Sequence, residues 1–163
     1  MDIRVMAILD LIKSQDGMKN AVVAGGSVRD FKLNLIPRDY DFFVPYNRKI
    51  GLGGLQALIE EKLLKKEQEV VDKGEEYSNV PESFKVFNFK YDDIEVDVIG
   101  VDQPDDEEFG TNLVETFNYG LNMAYFDGNS IDEENEAFQR DLGRGEMTLI
   151  NLRDFNELPK TFD

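Results

Sequence analysis

Two aspartates, Asp39 and Asp41, stand one residue apart inside "RDYDFFV", a run that otherwise reads as a buried strand. A strand alternates faces with period two, so the two carboxylates project together while Tyr40, Phe42 and Val44 project the other way. Two ionised carboxylates that close repel, and one must hold a proton unless a cation lies between them. The chain contains no histidine and no cysteine, which excludes disulfides, thiolate nucleophiles, histidine triads and the usual zinc sites. The natural resolution is a hard, oxygen-ligated divalent ion such as magnesium. A third acid comes from "IEVDVIG", where Ile94, Val96 and Val98 form an apolar face and leave Glu95 and Asp97 on the other. If this strand lies beside the first, Asp97 completes a three-carboxylate cluster able to hold two metal ions for in-line phosphoryl displacement. Glu95 is the other candidate for the third acid.

Upstream, "NAVVAGGSVRD" supplies the other half of such a site. Gly25 and Gly26 carry no side chains to obstruct a polyanion, and a helix starting near Ser27 presents free backbone N–H groups and its positive end. A triphosphate fits there, with the Ser27 hydroxyl donating to a phosphate oxygen and Arg29 or Arg38 adding charge-assisted contacts. Ser27 is the predicted N-cap, and Asp30, three residues on, stabilises the helix start.

The elements that must position these residues are legible from periodicity. Val5, Ile8, Leu9 and Ile12 recur at helical spacing and predict a helix over 2–15, ending near Gly17. A short buried strand in "NAVVAGG" precedes the helix from Ser27, which runs to about Leu35 before Pro37 stops it. "DYDFFVP" is the next strand. Leu55, Leu58, Ile59 and Leu63 mark a helix over 53–66 after a glycine-rich turn, and 67–82 reads as a polar loop with a short strand. "FKVFNFKY" and "IEVDVIGV" are strand-like, with Asp92-Asp93 turning a hairpin between them. "DQPDDEEFG" is a solvated acidic loop. "VETFNYGLNMAYFDG" predicts a short helix and a strand, "DEENEAFQRDLG" a helix, and "EMTLI" a last strand. The expected fold class is therefore α+β (mixed α/β), a single domain over 1–163.

Composition bounds the partners. The 163 residues are 41% hydrophobic, with no apolar run near the ~20 residues that span a bilayer, so no membrane partner is expected and the chain reads as soluble and unprocessed. The absence of cysteine fits a reducing, cytoplasmic setting. The net charge of -16 is uneven: Met1 to Lys66 holds 11 basic and 8 acidic residues, net +3, whereas the remainder is net -19. No basic stripe with interleaved aromatics is present, so strong unaided nucleic-acid binding is not expected.

Taken together, "GGSVRDFKLNLIPRDYDFFV" resembles the signature of the DNA polymerase beta-like nucleotidyltransferases. It is most similar to the head domain of class II CCA-adding enzymes and bacterial poly(A) polymerases, whose pattern is Gly-Gly-x-Val-Arg-Asp, a short helix and loop, then Asp-x-Asp in a strand. Gly25, Gly26, Val28, Arg29, Asp30, Asp39 and Asp41 supply every fixed element. The resemblance spans about 20–126, with a weaker tail to Ile150 in a C-terminal helix and strand extension. "TFNYGLNMAYFDG" is weakly similar to the family's "DFT-x-N-A-x-A-Y", but no nucleotide contact is assigned there, and no Glu-Asp-x-x-Arg base-selecting motif is found. The resemblance implies a small mixed sheet flanked by helices, metals on Asp39 and Asp41 with Asp97 third, a triphosphate on Gly26 and Ser27, and a nucleotide contact from Arg29. The function so implied is a minimal magnesium-dependent nucleotidyltransferase. It moves a nucleoside monophosphate from a nucleoside triphosphate such as ATP to an acceptor hydroxyl on an RNA end, small molecule or protein, releasing pyrophosphate. The competing reading, motivated by the -19 balance after Lys66, is an inactive nucleotidyltransferase-like module that binds a basic protein partner.

Overall fold

The computed structural model describes residues 1–46, 53–64, 71–74 and 83–151. The chain opens with α1 (Ile3–Lys13), whose Val5, Ile8, Leu9 and Ile12 are fully buried. Burial of such a stripe contributes about 1.5–3 kcal/mol per large side chain before the entropy of ordering is subtracted. Asp2 caps this helix by accepting from the Arg4 amide at 2.8 Å, and the Arg4 side chain pairs with both Asp2 and Asp93. Gly17, with φ of 80°, turns the chain toward β1 (Val22–Ala24).

After β1 come α2 (Gly26–Lys32) and β2 (Asp39–Pro45). Two expectations about α2 are corrected. Its N-cap is Gly25, whose φ of 86° and ψ of -140° lie where side-chain-bearing residues are strained, and Ser27 falls inside the first turn. The helix also stops at Lys32 rather than Leu35. Asn34, at φ of 60°, takes the left-handed conformation, and the amides of Asn34 and Leu35 donate to the carbonyls of Phe31 and Asp30 at 3.1 and 2.8 Å. These two bonds satisfy carbonyls the helix end would otherwise leave open.

Next come α3 (Gly53–Lys62), β3 (Val71–Gly74), β4 (Ser83–Tyr91) and β5 (Ile94–Val101). The last two form the predicted hairpin, turned at Asp92 with φ of 54°. The helix expected over 53–66 stops at Lys62, with Leu63 in a turn and Leu64 beyond it; residues 65 and 66, and most of the expected loop over 67–82, lie outside the described residues. The acidic loop that follows is less solvated than its charge implies: Asp105 accepts from the amides of Lys19 and Asn20 at 3.1 and 2.8 Å and so fastens the loop beside the start of β1.

The remaining elements are α4 (Phe109–Val114), a 3-10 turn (Gly120–Asn122), β6 (Tyr125–Phe126), β7 (Ile131–Asp132) and α5 (Glu136–Arg144), the last capped by Asn135. The strand expected in "EMTLI" is reduced to a single bridge between Tyr119 and Leu149, while β7, two residues long, carried no readable periodicity. Among the described residues the strands form one mixed sheet in the order β3-β4-β5-β2-β1-β6-β7. Among the described strands only β2 and β5 run parallel, so the fold is mixed α/β with a small sheet flanked by helices, as expected. One continuous apolar core joins α1, the sheet and α4. No described helix is long and apolar enough to cross a membrane.

Candidate active site

The sheet decides which acids meet. In the β2/β5 pairing Asp41 lies opposite Asp97 and Asp39 opposite Glu95. In β1 and β6, Ala24 lies opposite both Asp41 and Tyr125, and Asn88 of β4 lies opposite Asp97. Paired residues share a face, so Asn88, Asp97, Asp41, Ala24 and Tyr125 form one row across five strands. The small Ala24 leaves room beside Asp41. Tyr40, Phe42 and Val44 point to the opposite, buried face, as the alternation requires.

Burial grades along this row. Asp39 is exposed at the outer end of β2, Asp41 and Asp97 are half-buried, and Phe43, the next residue on their face, is buried. Phe43 is covered by Phe117, their ring centroids 5.4 Å apart. The segment after α4 therefore roofs the inner half of this face, the half that holds Phe43. Asn88 Nδ2 donates to Asp97 Oδ1 at 2.9 Å and to the Val96 carbonyl at 3.1 Å, which fixes one orientation of the Asp97 carboxylate. Glu95 is instead exposed and ion-paired with Lys90 at 3.6 Å. Among the described residues no three acidic side chains are gathered into a preformed metal-binding group. The donor chemistry nonetheless fits a hard divalent cation: carboxylate oxygens alone, on one face of adjacent strands, in a chain without imidazole or thiolate.

The glycine turn leaves β1 beside this row, because Ala24, the residue before it, pairs with Asp41. Gly25 is buried against the Phe117 ring; a Cβ there would stand 3.9 Å from Phe117 Cε2. Ser27 is 5% exposed, and among the described residues its hydroxyl has no hydrogen-bond partner. A buried hydroxyl without a partner is costly, and this one sits in the first turn of the helix that follows the double glycine. The Arg29 side chain folds back over the turn, with Nη2 3.3 Å from the place a Gly26 Cβ would occupy. Its Nε donates to Asp30 Oδ1 at 3.0 Å, so Asp30 orients Arg29 rather than the helix start. Arg38 is exposed; its carbonyl accepts from the Glu95 amide at 2.9 Å and aligns the starts of β2 and β5. Among the described residues no hydrogen bond or ion pair ties its guanidinium to the glycine turn.

Tyr125 closes the far side of the row. Its hydroxyl donates to Asp132 Oδ2 at 3.0 Å and lies 3.3 Å from Thr111 Oγ1; burial is the main cause that raises its pKa above the ordinary tyrosine value.

No family model matches the chain, and no curated protein matches it. Solved structures do. The apo form I structure of a CCA-adding enzyme superposes with a TM-score of 0.66 at 16% identity, covering 93% of this chain and 34% of that one. A CCA-adding enzyme complex with ATP gives 0.64 at 17% identity, over 98% of this chain and 36% of that one. The Thermotoga maritima CCA-adding enzyme complexed with tRNA gives 0.62 at 15% identity, over 96% and 34%. The fold is nucleotidyltransferase-like. The chain spans about a third of the length of these CCA-adding enzymes. Within this nucleotidyltransferase-like fold, two residues to which the sequence assigned no role bear on the site. Asn88 was detectable, since a hairpin centred on Asp92-Asp93 necessarily pairs it with Asp97. Asn122, whose side chain meets Arg29, lies in "TFNYGLNMAYFDG", the segment weakly similar to the family's, where no contact was assigned.

Proposed function

We propose that the chain is a magnesium-dependent nucleotidyltransferase that moves a nucleoside monophosphate from a nucleoside triphosphate to an acceptor hydroxyl. The observation that carries this reading is the pairing of Asp41 with Asp97 on the face that the glycine turn adjoins. The fold likeness supports it, and the solved neighbours include CCA-adding enzyme complexes with CTP and with ATP.

In this reading the backbone N–H groups at Gly25 and Gly26 and the Ser27 hydroxyl bind the triphosphate, and the Arg29 guanidinium adds a charge-assisted contact. Arg38, exposed beside Asp39, meets the outer end of the same polyanion. Asp39, Asp41 and Asp97 would hold magnesium, which would favour ionisation of the acceptor hydroxyl and neutralise charge on the leaving pyrophosphate. Asn88 keeps Asp97 turned in one orientation. Phe117, over Phe43 and Gly25, excludes water from the inner side of the site. The acceptor oxygen forms a bond to the α-phosphorus as the bond to pyrophosphate breaks, and the acceptor proton leaves to solvent.

The test is label transfer. Purified protein is incubated with magnesium and each α-labelled nucleoside triphosphate, with and without total RNA and with and without lysate protein. Transfer with pyrophosphate release that Asp41→Asn abolishes is the expected outcome. Transfer undiminished by Asp41→Asn, or no transfer with any acceptor, defeats the reading; no turnover with tight capture of a basic protein would replace it with the acidic-module reading.

A further inference from the structure

Arg29 is held by a residue 93 positions away. Its Nη1 donates to Asn122 Oδ1 at 3.1 Å, and its Nε to Asp30 Oδ1 at 3.0 Å. Among the described residues its Nη2, the nitrogen beside Gly26, donates no hydrogen bond. The guanidinium is therefore fixed at two corners and presents its third toward the glycine turn, at a side-chain exposure of 25%. A free arginine surrenders about 2 kcal/mol of rotamer entropy when it is ordered on a ligand, and an arginine already ordered does not.

Asn122 is itself immobilised. It ends the 3-10 turn that starts at Gly120, and the Gly120 amide donates to the Thr148 carbonyl at 3.0 Å. Thr148 is anchored in turn by the fully buried Asp141, which accepts from its amide at 2.8 Å and its hydroxyl at 2.7 Å. A Cβ on Gly120 would stand 2.6 Å from Asp141 Oδ2 and 3.0 Å from the Ala137 carbonyl, so only glycine lets the turn approach α5 this closely. Ile150 adds a backbone bond to the Asn118 carbonyl at 2.7 Å. The segment after α5 thus straps the 3-10 turn in place, and the turn delivers Asn122 to Arg29.

We propose that Asn122 is a positioning residue for polyphosphate binding: it pre-orders Arg29 so that Nη2 meets a phosphate oxygen at the glycine turn. This rests on the nucleotidyltransferase reading above. Asn122 has no contact with phosphate of its own and acts only through Arg29.

The experiment is a double-mutant cycle on the full chain. The probe is inorganic tripolyphosphate with magnesium, which removes the base and acceptor from the question, and binding is followed by calorimetry. Asn122→Ala is expected to weaken binding about tenfold, and Arg29→Ala by at least as much. The double variant should bind no more weakly than Arg29→Ala alone, because a residue acting through Arg29 has nothing left to order. A purely structural Asn122 would lower the melting temperature without this non-additivity. If Asn122→Ala does not fold, Asn122→Ser, whose shorter side chain cannot reach the guanidinium, takes its place in the cycle. Asn122→Ala binding that equals wild type, or losses that add in the double variant, overturns the proposal. Wild type that binds neither tripolyphosphate nor any nucleoside triphosphate instead removes the nucleotidyltransferase reading on which it stands.

Discussion

The two glycines of the turn should respond to the same substitution in opposite ways. Gly25→Ala forces a side chain onto a backbone with φ of 86° and ψ of -140°, which costs about 1–3 kcal/mol. A smaller term opposes it, since alanine narrows the unfolded ensemble by about 0.4–1 kcal/mol. Packing contributes little, because the added Cβ would meet Phe117 at 3.9 Å, an ordinary contact. The net loss is about 1–2 kcal/mol, or roughly 2–8 °C in melting temperature for a chain of this size. Gly26 has no positive φ and begins α2, so Gly26→Ala gains up to about 1 kcal/mol of helix propensity. Its Cβ, however, would stand 3.3 Å from Arg29 Nη2, so the guanidinium must yield by a few tenths of an ångström where it faces the turn. Gly25→Ala should therefore lower stability, whereas Gly26→Ala should hold or raise it while weakening tripolyphosphate binding. Urea unfolding of both variants, paired with calorimetric titration, reads the contrast. A Gly25→Ala midpoint equal to wild type at unchanged slope, or a Gly26→Ala variant that binds as wild type does, would refute the reasoning.

Other predictions bear on the carboxylates. Asp97→Asn should cut transfer by about a hundredfold or more, whereas Glu95→Gln, at the exposed Lys90 pair, should stay within a few-fold; the reverse order in a steady-state assay would make Glu95 the third ligand. Asn88→Ala should weaken magnesium affinity by about 10- to 100-fold through the loss of its bond to Asp97, measured as the metal concentration for half-maximal rate. Asp141→Ala removes a buried carboxylate that accepts two bonds from Thr148 and should cost about 3 kcal/mol in urea unfolding; an unchanged midpoint would mean that the strap is not held there. Asp2 is held below its ordinary value of 3.8 chiefly by the Arg4 side chain. A lowered carboxylate pKa stabilises the folded state above the unfolded value and stops doing so as pH falls through the folded one. Asp2→Asn, which keeps a capping oxygen, should then be less stable than wild type at pH 7 by under about 1 kcal/mol. The gap should narrow as pH falls below about 4; a gap that does not change with pH would assign the difference to something other than charge.

The period-two alternation of "DYDFFV" and "IEVDVIG" was enough to put Asp39 with Asp41 on one face and Glu95 with Asp97 on another, because strand geometry is local. The Asp92-Asp93 turn likewise implied the register that sets Asn88 opposite Asp97. The double glycine marked a special backbone, although local preference misassigned the cap to Ser27: serine is a good capping residue, but only glycine accepts the φ the turn required one residue pair earlier. Tertiary structure alone decided that β5 lies parallel to β2, which chose Asp97 over Glu95 as the neighbour of Asp41. It alone brought Phe117 over Phe43 and Asn122 to Arg29, since those contacts join segments separated by 74 and 93 residues, and no periodicity encodes such a pairing. "EMTLI" shows the same limit from the other side. Its apolar pattern suits a strand, yet the buried Asp141 captures Thr148 and leaves the segment one bridge, because the hydrogen bonds a strand would use are spent on the strap that holds the 3-10 turn.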